Sequence, residues 1–188
     1  MPLLEVTDRL MRPPRRVLVA GTSGSGKSTL AARLAAVFGL EHVEIDGLFH
    51  GPGWVPRPEF VADVERFTSR TGWVTEWQYH TVRPLLAERA DLLVWLDYPR
   101  HVVMRRVVAR TVRRRIRNEE LWNGNRERGL WRVLVDRDHI VRWAWRTHEA
   151  TPKRVAELLE LRPELSVVRL RSPAEAEAWL AGLGEPLG

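Results

Sequence analysis

Apolar residues in this chain come in short solid blocks separated by stretches with helical spacing. Val17-Leu18-Val19-Ala20 is an uninterrupted block of the kind seen in a strand buried on both faces. Leu30, Leu34, Val37 and Phe38 then fall at i, i+4, i+7 and i+8, which predicts an amphipathic helix. His42-Val43-Glu44-Ile45-Asp46 predicts a second strand ending in an acid, and residues 47–58, rich in glycine and proline, predict a loop. Glu59 to Ser69 reads as helix and Gly72-Trp73-Val74-Thr75-Glu76 as a third strand, again ending in an acid. Residues 90–97 form a fourth strand, with Pro99 and Arg100 opening the next helix. Two helical stretches follow, over 99–117 and 127–148, and Thr151-Pro152 reads as an N-cap and N1 pair for a helix to Leu161. Ser166 to Leu170 is a fifth strand, and Ser172-Pro173 caps a last helix to Leu183. Residues 1–14 and 184–188 read as a frayed extension and tail around one domain over 15–183.

Strands that alternate with helices imply an α/β fold, a parallel sheet with helices on both faces. Ligands of such folds bind beyond the carboxyl ends of the strands, where strand order reverses. Asp46, Glu76 and Asp97, each following a different strand, therefore share one rim.

That rim also receives the segment after the first strand. Residues 21–28 read Gly-Thr-Ser-Gly-Ser-Gly-Lys-Ser, a full match to the phosphate-binding pattern G-x-x-x-x-G-K-[ST]. Its glycines allow left-handed turns that aim successive N–H groups at phosphate oxygens. Lys27 is placed to reach the β- and γ-phosphates, and the Ser28 hydroxyl to bind Mg²⁺. The strand before it and the helix N-terminus after it supply the context the motif requires. Gly21, Thr22, Ser23, Gly24, Ser25, Gly26, Lys27, Ser28 and Thr29 form the candidate site for the phosphates of ATP.

Charge adds a second feature. The 188 residues carry a net charge of +6, almost all of the positive side chains being arginine, which suits an anionic ligand. Arg106, Arg110, Arg113 and Arg117 lie along one face of the helix from Pro99, opposite Met104, Val107, Val108 and Val112. A solvated basic face is one reading. A phosphate-facing stripe is the other, since phosphoryl transfer spreads negative charge that arginines stabilise. Helix, then Asn123-Gly124-Asn125-Arg126-Glu127-Arg128, then helix has the form of a closing lid over residues 110–128. With no cysteine, disulfides and thiolate chemistry are excluded. The histidines show no metal-binding spacing, no apolar run approaches a membrane span, and residues 1–16 lack a signal-peptide core, which points to a cytoplasmic protein.

The chain resembles the adenylate-kinase-like branch of P-loop kinases, and within it the bacterial topology modulation proteins. The resemblance rests on Gly-Ser-Gly-Lys-Ser at 24–28, Asp46, Gly53-Trp54, the Trp-Leu-Asp-x-Pro-Arg of 95–100 and Asn-Arg-Glu at 125–127. It implies a three-layer fold around a five-stranded parallel sheet of order 2-3-1-4-5, with a small helical lid. It implies a kinase that moves the γ-phosphoryl of Mg·ATP to a nucleoside, a nucleotide or another small hydroxyl compound, working as a monomer or homodimer. Glu76 would then occupy a Walker-B-like position beside Lys27 and Ser28, sharing the metal with Ser28. Asp46 would hold the acceptor or help deprotonate it. The lid arginines, Arg106, Arg110 and Arg126 among them, would neutralise the transition state. Arg110 would also contact the adenine or the phosphates, and Arg171 would line the base pocket. Bland readings compete: Glu76 as a strand-end acid, Asp46 as a turn acid before Gly47, Asp97 as an N-cap. His50 and His80 read as surface residues in preference to lining the acceptor cleft, and Phe49 and Trp54 as either an aromatic wall or a packed loop anchor. In one respect the chain departs from its relatives' pattern. They tend to carry Asp-Gly-Asn-Tyr where this chain has Glu76-Trp77-Gln78-Tyr79, so Trp77 adds bulk near the acceptor cleft. A second function class remains open, a nucleotide-dependent regulator whose arginine face binds DNA or RNA.

Overall fold

The computed structural model describes residues 3–8, 10, 12–117, 122–124, 145 and 148–183. The expected helix over 127–148, and Arg126 with it, lies outside the described residues apart from Trp145 and His148.

Six parallel strands form one sheet: β1 (Leu3–Leu4), β2 (Arg16–Gly21), β3 (His42–Val43), β4 (Trp73–Glu76), β5 (Leu92–Leu96) and β6 (Ser166–Leu170). Their order across the sheet is β1-β6-β5-β2-β4-β3. The expectation of five strands is thus corrected to six. The extra strand comes from the N-terminal extension: Leu3 and Leu4 pair with Val167 and Val168 and extend the sheet past β6. Two consecutive leucines are too short to read as a strand before a partner edge is known.

Strand side chains alternate between faces, and each face has its own helices. Val17, Val19, Val94, Leu96, Val168 and Leu170 pack with Leu30 and Leu34 of α1 (Lys27–Phe38), Val103 and Val107 of α5 (Arg100–Arg117), and Trp179 and Leu180 of α7 (Pro173–Leu183). Leu18, Ala20, Trp73, Leu93, Trp95 and Val167 pack on the other face. Their partners there are Phe60, Val64 and Phe67 of α3 (Phe60–Thr68), Leu86 of α4 (Arg83–Arg89), and Val155 and Leu158 of α6 (Ala150–Leu161). Double-sided burial is why β2 and β5 read as solid apolar runs.

Two local readings change. Residues 47–58 are not all loop, because Ile45–Phe49 form a short helix α2 and Pro52–Trp54 a 3₁₀ turn. Ile45, fully buried, leaves the strand direction to fill the core beside Phe60. Thr151 lies inside α6, whose N-cap position is Glu149. At α7 the reading holds: the Glu175 N–H donates to Ser172 Oγ at 3.2 Å, and Glu175 Oε2 accepts the Arg171 N–H at 2.8 Å.

Candidate active site

The loop between β2 and α1 turns on left-handed glycines, Gly24 at φ 85° and Gly26 at φ 101°, the latter serving as the α1 N-cap. Such angles are strained for any residue with a Cβ. Gly24 faces a second barrier, since a Cβ there would sit 2.1 Å from Val107 Cγ2 of α5. Gly24→Ala is therefore expected to cost about 2–4 kcal/mol of stability from backbone strain plus overpacking, and to lose ATP binding. Thermal melting and ATP titration check both parts.

Lys27 is buried and its Nζ donates to the Thr22 carbonyl at 3.4 Å, the oxygen that also accepts the Ser25 N–H. Burial holds the ammonium below its ordinary range and Arg110 pushes the same way, while Asp46 and Glu76 pull it back up. This electrostatic coupling joins the loop to both carboxylates and to the arginine helix. Ser25 Oγ is buried without a hydrogen-bond partner among the described residues. Ser23 is half-buried and Thr29 exposed.

Glu76 is the last residue of β4, beside Val19 of β2, and is 1% exposed. Its Oε2 accepts the Ile45 N–H at 3.2 Å, tying β4 to the start of α2. Its Oε1 faces His42 Nε2 at 3.5 Å, a distance at which neither atom gains a hydrogen-bond partner. Burial pushes the carboxyl up, but His42, the Ser28 hydroxyl and the Ile45 N–H outweigh it and hold Glu76 below the usual carboxylate range. Its extra methylene reaches α2. Trp77 does not obstruct the loop, because its Nε1 donates to the Arg83 carbonyl at 3.2 Å and Arg83 lies 5.9 Å from its ring, directing the indole to α4.

Asp46 lies in the first turn of α2. Its Oδ1 accepts both Tyr79 Oη–H at 2.6 Å and Gln78 Nε2–H at 3.1 Å, while Oδ2 takes no hydrogen bond from the described residues. Burial pushes the Tyr79 phenol well above its ordinary range, and the charge and hydrogen bond of Asp46 add to that. Around this pair stand Phe49, stacked on Tyr79 with ring centres 4.0 Å apart, then Phe60, His50 and Trp54. Arg57 lies beside them but is engaged by Asp63 at 3.1 Å and by the Leu48 carbonyl.

The arginine helix splits. Arg106 donates to the Ser25 carbonyl at 2.9 Å, and Arg110 bears electrostatically on Lys27, so both face the loop. Arg113 is exposed, as is Val108, which does not join the apolar face. Asp97 is paired with Arg169. Arg171, at the end of β6, pairs with Glu5 at 3.1 Å and makes no contact with the loop among the described residues.

Taken together, a glycine loop at a helix N-terminus, a buried lysine, Glu76 at the end of β4 and Asp46 in the first turn of α2 gather at one rim of the sheet. The sheet carrying them superposes on a gluconokinase from Sinorhizobium meliloti 1021 with a TM-score of 0.50, at 24% identity over 92% of this chain and 95% of that one. This is the P-loop kinase fold. A shikimate kinase from Acinetobacter baumannii in complex with shikimate aligns with a TM-score of 0.49 at 16% identity, covering 90% of each chain. No family model and no curated protein matches the sequence.

Within this P-loop kinase fold the structure brings Lys27, Ser28, Asp46, Glu76, Arg106 and Arg110 to one rim, with Asp97 and Arg171 engaged apart from them. Sequence reasoning missed the positions of His42 beside Glu76 and of Gln78 and Tyr79 on Asp46. His42 could have been found from the pairing of β3 with β4, which sets it opposite Val74, two residues before Glu76 and on the same face of the sheet. Gln78 and Tyr79 carried no signal, because they reach Asp46 from beyond a strand end.

Proposed function

We propose that the chain is a small-molecule kinase that transfers the γ-phosphoryl group of ATP to a hydroxyl acceptor, in the manner of the topology modulation proteins it resembles in sequence. The observation that carries the reading is geometric: the glycine loop at the α1 N-terminus holds buried Lys27, Arg106 donates to the loop's Ser25 carbonyl, and Glu76 ends the neighbouring strand. It puts a candidate phosphate-binding cation beside a candidate charge-neutralising arginine, within electrostatic reach of the candidate base Asp46.

The loop N–H groups, Ser25 Oγ and Lys27 bind and orient the triphosphate. The acceptor hydroxyl approaches Asp46 Oδ2, the oxygen left free. As the hydroxyl oxygen bonds to the γ-phosphorus, the bond to the β-bridging oxygen breaks, the hydroxyl proton passes to Asp46 Oδ2, and ADP leaves. Arg106 and Arg110 offset the charge spreading over the phosphoryl oxygens. The Ser28 hydroxyl and the unpartnered Glu76 Oε1 suit a Mg²⁺ ion, one as direct ligand and the other through water. When bound, the ion would draw charge from the β- and γ-phosphate oxygens.

The acceptor side favours a neutral compound. Among the described residues Arg57 is the cation beside the aromatic group, and it is already paired with Asp63. Asp46 would repel a carboxylate or phosphate placed there. The Phe49, Tyr79 and Trp54 rings suit the flat face of a base or the apolar face of a sugar. The nucleic-acid reading loses ground, because Arg106 and Arg110 turn inward to the loop.

The test is ADP formation with Mg·ATP across nucleosides, their monophosphates, neutral sugars and hydroxy acids. The expected result is stimulation at least tenfold above the basal rate by a neutral hydroxyl compound. Turnover driven only by phosphorylated or carboxylate acceptors would remove the neutral assignment. No stimulation, together with tight and steeply salt-dependent DNA or RNA binding, would replace the kinase reading altogether.

A further inference from the structure

Three non-glycine residues among those described have left-handed backbones: Trp54 at φ 64°, Tyr79 at φ 57° and Asn123 at φ 56°. They lie in three different segments, yet all three touch His50. The Trp54 ring meets the His50 ring edge-on with centres 5.0 Å apart. Tyr79 Oη lies 3.2 Å from His50 Nε2, and Asn123 Nδ2 donates to the His50 carbonyl at 2.5 Å. Asparagine tolerates this backbone region, but tryptophan and tyrosine rarely enter it. Strain gathered on one residue marks a conformation that the surroundings enforce.

The hydrogen-bond order around Tyr79 can be worked out. Its single phenolic proton is given to Asp46 Oδ1 at 2.6 Å, so the Tyr79 oxygen is an acceptor toward His50. His50 Nε2 must then carry a proton. The chain reads His50 Nε2–H to Tyr79 Oη–H to Asp46 Oδ1, each donor sharpening the next. It occupies Oδ1 and leaves Oδ2 to the acceptor. Burial holds the imidazole below its ordinary range although Asp46 acts in the opposite direction, so the ring is neutral at pH 7 and its single proton is on Nε2.

We propose that His50 is a positioning residue that holds the candidate base Asp46 through Tyr79 and links its aim to the seating of the 122–124 turn. Asn123 grips the backbone of His50, so when the turn is seated the imidazole is fixed against Tyr79. Loss of that grip frees the ring, and Asp46 loses the donor chain that orients it. This role rests on the kinase reading, but its first test does not.

That first test is ¹⁵N NMR of the His50 ring in the full chain, where the Nε2–H tautomer is expected at neutral pH and should be lost as the dominant form in Tyr79→Phe. A dominant Nδ1–H tautomer overturns the proposal. The second uses the acceptor that the panel identifies. His50→Ala is expected to lower acceptor-dependent kcat about tenfold with direct Mg·ATP affinity within about twofold, and His50→Gln, which keeps a donor, to recover most of it. Asn123→Ala is expected to lower kcat in the parent and to add little in His50→Ala. An unchanged kcat in His50→Ala, or full additivity of the two substitutions, overturns the proposal. If no acceptor is turned over by the parent chain while the Nε2–H tautomer is present, the kinase reading fails, and the positioning role fails with it.

Discussion

Lys27→Ala is expected to reduce kcat/KM for ATP by about 10²–10³-fold or more, the scale of losing one charged group aimed at the transferring phosphoryl. Steady-state ADP release and direct ATP binding will measure it. The burial of Lys27 gives this prediction two further parts. Its ammonium is held below the ordinary lysine range chiefly by burial. A lysine whose folded value lies below its unfolded one costs stability while it is charged, and the cost fades as pH rises through the folded value toward the unfolded value near 10.5. Lys27→Met, which keeps the apolar stem and removes the charge, is thus expected to melt no lower than the parent at pH 7 while losing ATP affinity. The same titration sets the pH dependence of binding. As pH rises through the lowered value the ammonium loses its proton, and ATP affinity falls in the parent but not in Lys27→Met. Equal alkaline weakening in both proteins would show that Lys27 does not hold the phosphates.

Asp46→Asn is expected to lower acceptor-dependent kcat by about 10²–10⁴-fold while ATP binding stays close to that of the parent. The substitution keeps an oxygen that can accept from Tyr79 Oη and Gln78 Nε2, the two bonds that seat Asp46 Oδ1. The fold is therefore undisturbed, and the loss reports the missing base. A fall confined to KM for the acceptor, with kcat intact, would make Asp46 a binding group only. Together the two substitutions separate the halves of the cleft, Lys27 controlling the donor and Asp46 the chemistry at the acceptor.

How much of this could be read beforehand differs between the two halves. The donor half is local in sequence. Strand, glycine loop and helix are contiguous from Arg16 to Phe38, and each glycine, Lys27 and Ser28 stands where the motif sets it. The acceptor half is assembled from distant segments. Glu76 meets Ile45 across 31 residues, Tyr79 meets Asp46 across 33, and Asn123 meets His50 across 73. Residues 47–58 looked irregular because glycine and proline interrupt any period, yet packing of Ile45 and Phe60 in one core makes a short helix and a turn of part of it. His50 passed for a surface residue because a lone histidine has no periodic partner to betray it.

By itself, then, the sequence determined the phosphate loop and the alternation of buried strands with helices. It also determined the presence of acids after β3 and β4 and of arginines along α5. These follow from short-range backbone and periodicity rules, which act within a few residues. Only the tertiary structure decided the sixth strand, the turning of Trp77 toward α4, the inward aim of Arg106 and Arg110, and the meeting of three strained residues on His50. Those depend on which surfaces are buried together, a property of the packed chain that no window of sequence contains.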